Sequence, residues 1–463
     1  MRNLSRINPR FAPSVSFLLL CLLMVALWLA GGASRGDVPG QAVVRSAAAA
    51  AIAIALLFGP RPSLSMVRPV AWLLALAILL PLLQLVPLPP ALWQAFPGRA
   101  LFGQAADLLN EAQPWRPWTI APGLTINAAA SLIVPAAVLL LVAGAREDER
   151  ASIPGLLLAL ISASTLLGLL QLSGVYFNSP LINDSVGQVS ATFANRNHFA
   201  LFLALGCLLA PVWPFLGGRS PGWRAPVAFA LGLLFALTIV ATGSRAGILV
   251  GAIGLAAGLW IVRQGIRRTM ARYPRWTFPA IVAAIPALIG IFVLLAIAAG
   301  RAASIERLFT SDTAQDMRTR GLPTVLEMIK GYFPTGTGFG TFDRAFRIHE
   351  PFALLKPTYF NHAHNDLLEV FLEGGIAGGA LLAAALAWLV YAGIRAWRAG
   401  PGTRQGLPKA GAVALLLIVI ASAFDYPART PMVMAIIILA ASWLSESATK
   451  PSASALPQTD QHL

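Results

Sequence analysis

The chain has 463 residues, 57% of them hydrophobic and 11% charged, with a formal net charge of +15. Soluble domains carry about 25% charged residues, so a chain this long with so few polar groups is excluded from the water-soluble class. Nucleic-acid binding is excluded as well. The bases are dispersed among short stretches between apolar runs, which is how topology signals and lipid-phosphate contacts look, and they form no basic stripe.

Apolar runs near the length that spans a hydrocarbon core of about 30 Å fall at 14–32, 43–58, 69–88, 127–144, 152–173, 196–214, 225–242, 246–262, 278–299, 366–393, 409–424 and 431–446. They predict an all-α polytopic integral membrane protein of about twelve transmembrane helices. The first run follows Arg2, Arg6 and Arg10 and resembles a signal peptide cleaved near Ala33–Ser34. A retained first helix is the preferred reading, because the chain continues as a membrane bundle. With a cytoplasmic N-terminus, Arg61, Arg68, Arg146, Arg150, Arg219, Arg224 and the basic stretch Arg263–Arg275 all fall inside. The outer connections hold few bases: Arg35, Arg45, Arg196, Arg245 and Arg429. That bias follows the positive-inside rule and supports an even count. Cys21 and Cys207 lie in apolar runs and offer neither a disulfide framework nor a metal site.

Two outer segments are long. Residues 89–126 are rich in Trp and Pro, which suits the membrane interface. Residues 300–365 form a polar periplasmic loop in which Arg318–Lys330 can make a short helix. The transmembrane unit thus covers 1–446, followed by a disordered cytoplasmic tail at 447–463, which lacks an apolar period.

The most informative stretch runs from Asn361-His362-Ala363-His364-Asn365-Asp366 to Glu369 and Glu373, with two of the chain's five histidines. Capping by Asn365 or Asp366 explains the Asn and Asp, but not the histidines or the carboxylates entering a span. Asp366, Glu369 and Glu373 share one helical face, and such intramembrane carboxylates are functional suspects. A metal reading of His-x-His lacks a further ligand cluster; a general base is the other role for an imidazole. Arg245, in Ser244-Arg245-Ala246-Gly247, is either an arginine snorkelling to lipid phosphate or a binder of a phosphorylated substrate. The small residues that follow, Gly247, Gly251, Gly254 and Gly258, suit close helix contact. Gly336-Thr337-Gly338-Phe339-Gly340 reads as a turn more readily than as a phosphate cradle, since it lacks the Lys-Ser/Thr ending of a P-loop. Asn195-Arg196-Asn197-His198 opens a span on the same face, and Arg196 joins the candidates.

In this order the motifs resemble the O-antigen ligase and polymerase superfamily of bacterial envelope glycan transferases. The resemblance rests on Ser244-Arg245-Ala-Gly, Arg318 ahead of Phe333-Pro334 and Gly336–Phe342, then His364-Asn365-Asp-Leu-Leu with Glu373-Gly374, and covers roughly 190–390. It implies a fold resembling the GT-C class in the bacterial inner membrane. It also implies metal-independent, cofactor-free, inverting transfer of a glycan from an undecaprenyl-pyrophosphate-linked donor. The acceptor would be lipid A-core, a growing glycan or another molecule, reached on the periplasmic side among membrane lipids. Carried over residue by residue, His364 is the base and Arg245 with Arg318 hold the donor pyrophosphate. Arg320 competes with Arg318, and Asn365, Asp366, Glu373 and Arg196 support them. Where the family often has a tryptophan four residues after that second arginine, this chain has Leu322. Ligase and polymerase share these motifs. A transporter or flippase of lipid-linked glycans is the rival from another class, but such proteins usually place polar sites near the midplane, whereas here the polar groups gather at span entrances.

Overall fold

The computed structural model describes residues 12–175, 179–183, 187–218, 221–271, 273–276, 317–355, 360–400 and 405–449, with isolated positions at 283, 287, 290 and 291. Its main helices are α1 (Val15–Ala30), α2 (Pro39–Phe58), α3 (Arg68–Gln84), α4 (Pro122–Ser131), α5 (Ile133–Gly144), α6 (Ile153–Leu172), α7 (Arg196–Val212), α8 (Arg224–Thr242), α9 (Arg245–Met270), α10 (Met317–Tyr332), α11 (Phe342–His349), α12 (Asp366–Arg398), α13 (Gly406–Ser422) and α14 (Pro431–Thr449). Among the described residues, eight helical stretches are long and apolar enough to cross a membrane, and shorter apolar helices include α1, α13 and α14. Helices occupy eleven of the twelve apolar runs; the run at 278–299 lies largely outside the described residues, as does most of the tail. The short helix expected at Arg318–Lys330 is α10, and α14 extends three residues past the boundary expected at 446.

The middle of the bundle is α7, buried along nearly its whole length and packed against α6, α8, α9 and α13. Small residues on α9 allow that approach: a Cβ on Gly254 or Gly258 would lie 2.8 or 2.6 Å from the carbonyl oxygens of Ala204 and Leu208 on α7. The glycine spacing is therefore structural, as the sequence pattern implies.

Hydrogen bonds identify the two ends of the bundle. At one end, the Glu149 carboxylate just before α6 accepts from Ser14 N and Oγ at the start of α1, at 2.6 and 2.7 Å, and Arg150 pairs with Glu446 near the end of α14 at 3.3 Å. At the other, Met432 N, opening α14, donates to Gly31 O after α1, and Ala194 N, just ahead of α7, donates to Gly32 O. This second end gathers the beginnings of α7, α9 and α12.

Against it sits the glycine loop after α10. Gly336, Gly338 and Gly340 all have positive φ, as does Gly375 (φ 56°, ψ −145°), where α12 kinks. Gly336, Thr337 and Gly338 donate their N–H groups to the Tyr332, Leu372 and Glu373 carbonyls, while Phe339 N donates to the Gln84 side chain at 2.8 Å. Arg99 and Trp118, from the segment between α3 and α4, clamp the outer side by donating to the carbonyls of Gly336 and Thr335. Trp93 is likewise buried within the protein, whereas Trp115 is 67% exposed. Residues Pro87–Leu88 and Arg116–Pro117 close that segment as a minimal antiparallel pair.

A Cβ on Gly375 would meet Pro334 O at 2.1 Å, in a backbone region L-residues avoid. Gly375→Ala should therefore destabilise the protein by about 2–5 kcal/mol, read as a lower Tm in detergent. Gly331→Ala, on α10 with open space around it, serves as the near-neutral control. Equal Tm values for the two would show that the kink is not rigidly held.

Candidate active site

Three helices start at one place for the same local reason. Asn195, Ser244 and Asn365 each cap a helix, accepting a hydrogen bond from Asn197 N (2.8 Å), Gly247 N (3.0 Å) and Leu368 N (3.0 Å). Uncompensated N–H groups and partial positive charge mark a helix N-terminus, so the convergence of α7, α9 and α12 sets three such ends around one region.

At the centre is Asp425, 4% exposed, in the turn between α13 and α14. Its Oδ1 contacts His364 Nδ1 at 2.9 Å and accepts from Tyr426 N at 3.1 Å. Its Oδ2 accepts from Asn195 Nδ2 at 3.0 Å, Asn197 Nδ2 at 2.7 Å and Arg318 Nη2 at 3.3 Å. Ser244 joins through Asn197 Oδ1 at 2.8 Å, and Asp366 N donates to the Asp425 carbonyl. Burial would raise this carboxyl's pKa. The hydrogen bond from His364 and nearby positive charge, Arg318 included, outweigh it and hold Asp425 well below the usual carboxylate range. Beside it, burial and the Asp425 charge push the Tyr426 phenol up to about 12.

His364 has φ 50°, a left-handed conformation that costs a non-glycine residue on the order of 1–3 kcal/mol. Its ring packs on Phe360 and Tyr426, at centroid distances of 5.3 and 4.9 Å. A carboxylate at Nδ1 selects the tautomer with the proton there, which leaves the Nε2 lone pair as the basic one. His362 turns elsewhere: its Nδ1 meets Glu369 Oε1 at 2.8 Å. The two imidazoles of His-x-His thus serve different carboxylates. Among the described residues, no group of three or more His, Cys, Asp or Glu could hold a metal ion.

The expected carboxylate face of α12 is built around one cation. Arg429 lies 3.4 Å from Asp366, 3.2 Å from Glu369 and 3.0 Å from Glu373. Burial alone would weaken the guanidinium; the three carboxylates reverse that and raise its pKa. Each acid also holds a loop: Asp366 accepts from Ala428 N and Ser422 Oγ, Glu369 from Ala363 N, and Glu373 from Phe342 N. Asp366, Glu369 and Glu373 are therefore braces of the stretches of chain that carry Asp425, His364 and the glycine loop, respectively. That loop has used its N–H groups internally, which agrees with the turn reading.

Arg318 shares Asp425 with His364, whereas Arg320 donates to the Ala353 carbonyl at 2.9 Å, away from that carboxylate. Arg245 is exposed on the first turn of α9, next to Ser244, and Arg196 lies half-buried between Asn195 and Asn197. Asn365 further ties α12 to α13 through the Ala423 carbonyl at 3.0 Å. Sequence reasoning overlooked Asp425 and used Arg429 only as a topology marker. A carboxylate at the mouth of an apolar run was the available signal.

Residues 230–383 match the family model described as O-antigen ligase. The match takes in α9, α10 and α11 whole and parts of α8 and α12, about a third of the chain. A search of curated proteins gives no match. The matched residues include Arg245, Arg318 and His364; Asp425 and Arg429 lie beyond them.

Removing Arg429 would leave three carboxylates buried together. Arg429→Met should cost about 3–5 kcal/mol, and adding Glu373→Gln to it should recover part of the loss in a double-mutant cycle. Thermal unfolding in detergent checks this; additive effects would mean that the two side chains are not coupled.

Proposed function

We propose that this O-antigen ligase-type protein transfers a glycan from an undecaprenyl-pyrophosphate-linked donor to an acceptor at the periplasmic face of the bacterial inner membrane. Its unit of about twelve spans resembles the GT-C class and covers 1–446, with a periplasmic loop at 300–365 that lies partly outside the described residues. The observation that carries the reading is His364 and Arg318 meeting on opposite oxygens of the buried Asp425 carboxylate.

In this reading Asp425 fixes the His364 tautomer and aims Nε2 at the acceptor. As the acceptor oxygen attacks the anomeric carbon from the face opposite the leaving group, Nε2 takes its proton. The bond from that carbon to the diphosphate breaks with inversion, and the departing diphosphate carries the electron pair away. Arg318 and Arg245 stabilise the charge it gains, helped by the three helix N-termini. The Arg318 side chain is 35% exposed beside that carboxylate. No metal or nucleotide sugar takes part. Asn365 and Asp366 seat His364, Glu373 seats the glycine loop, Arg196 adds positive charge beside the cap of α7, and Arg320 has a structural role.

The test is glycan transfer in proteoliposomes with a polyprenyl-diphosphate-linked glycan and a lipid A-core acceptor. His364→Gln should lose about 10²–10⁴-fold, and Asp425→Asn at least about 10²-fold through the wrong tautomer. Arg318→Ala should lose on the order of 10²-fold, while Arg320→Ala stays close to the parent. Full activity in a correctly inserted His364 variant would refute the base assignment. In cells, gene deletion should leave uncapped core while carrier-linked polymer accumulates.

A further inference from the structure

His198 plays no part in that mechanism, yet it is 1% exposed and neither ring nitrogen has a hydrogen-bond partner among the described residues. A neutral imidazole carries one donor and one acceptor, and leaving buried polar groups unpaired is disfavoured. Its place is specific. Nε2 lies 3.9 Å from Asp425 Oδ1, the oxygen that holds His364, and the ring stands edge-on to Tyr426 at 5.1 Å between centroids. A separation of 3.9 Å exceeds hydrogen-bond reach. Between α7, α9 and the turn after α13, however, lies a small cavity bordered by the polar His198, Asn197 and Asp425 and otherwise by apolar residues, with space of about 10 Å³, roughly enough for one water.

We propose that His198 is a positioning residue that donates from Nε2 through one water held in this cavity to Asp425, and so tunes the carboxylate that aims His364. The proposal rests on the base role given above to His364. The donated hydrogen bond draws charge from Asp425. Without it more charge stays on the carboxylate, and the acid limb of transfer moves to higher pH. The other ionisable groups around the carboxylate are Arg318 on α10, His362 and His364 ahead of α12, and Tyr426.

The experiment compares His198→Gln, which keeps a donor near the Nε2 position, with His198→Met, of similar length and without one. Transfer is measured against pH, with His364→Gln alongside. His198→Met should lower kcat about 10–100-fold with little change in KM and move the acid limb up by roughly half a unit. His198→Gln should recover most of both. If His198→Met does not fold, His198→Phe replaces it. A donor-free variant with the parent's kcat and acid limb overturns the proposal, as does a His198→Gln indistinguishable from His198→Met. Activity retained in His364→Gln would instead overturn the base reading.

Discussion

One ionised carboxylate buried at the end of a helical bundle sets the terms for everything around it. Stripping an anion of water is expensive unless hydrogen bonds and opposite charge replace the lost solvent. Asp425 receives donors from the start of α7, from α10, and from the loop leading into α12. Segments separated by up to 230 residues are thereby drawn to a point. The requirement to solvate this one group brings His364 and Arg318 together, and no packing preference among the apolar helices would do the same.

The Arg429 cluster has the complementary chemistry: one cation among three acids. The two arrangements are only a few residues apart along the turn between α13 and α14, and Asp366 belongs to both, through its backbone in one and its carboxylate in the other. The Arg429 cluster is the more enclosed of the two and braces the backbone. The Asp425 cluster keeps part of Arg318 and His364 accessible, at 35% and 18% side-chain exposure, as a site that meets substrate requires. His364 is held at positive φ, a conformation that persists only where surrounding contacts over-determine it; its bond to Asp425 and the flanking Phe360 and Tyr426 rings supply those contacts.

Much of this was readable from the chain, for identifiable reasons. Apolar runs fix where helices form because the bilayer admits few alternatives. The shared face of Asp366, Glu369 and Glu373 follows from helical periodicity alone, and the glycine spacing on α9 marked a close contact. His364, Arg245 and Arg318 stood out because they sit in recognisable local patterns. Asp425 does not: it is a single acid in a short turn, and its importance arises from what distant segments bring to it. Arg429 was legible as a charge and illegible as a partner, since periodicity on α12 says where the acids point and nothing about which turn closes over them. Spacing to the Gly336 loop favoured Arg318 over Arg320, and the side chains' directions from α10 put Arg318 on Asp425 and Arg320 on the Ala353 carbonyl.

The capping residues show why the motifs are hard to interpret one at a time. Asn195, Ser244 and Asn365 satisfy an ordinary need of any helix beginning near a membrane surface, and in isolation each is fully explained by it. A cap, however, fixes the orientation of the first turn. Here hydrogen bonds to and around Asp425 tie the three capped turns together, so the starts of α7, α9 and α12 lie at a common region. The caps fix the geometry of three first turns, and the buried carboxylate holds His364 and Arg318 at its edge. Under the proposed function, the ligand that suits such an end is a glycosyl diphosphate, which sets concentrated negative charge next to the bond that must break.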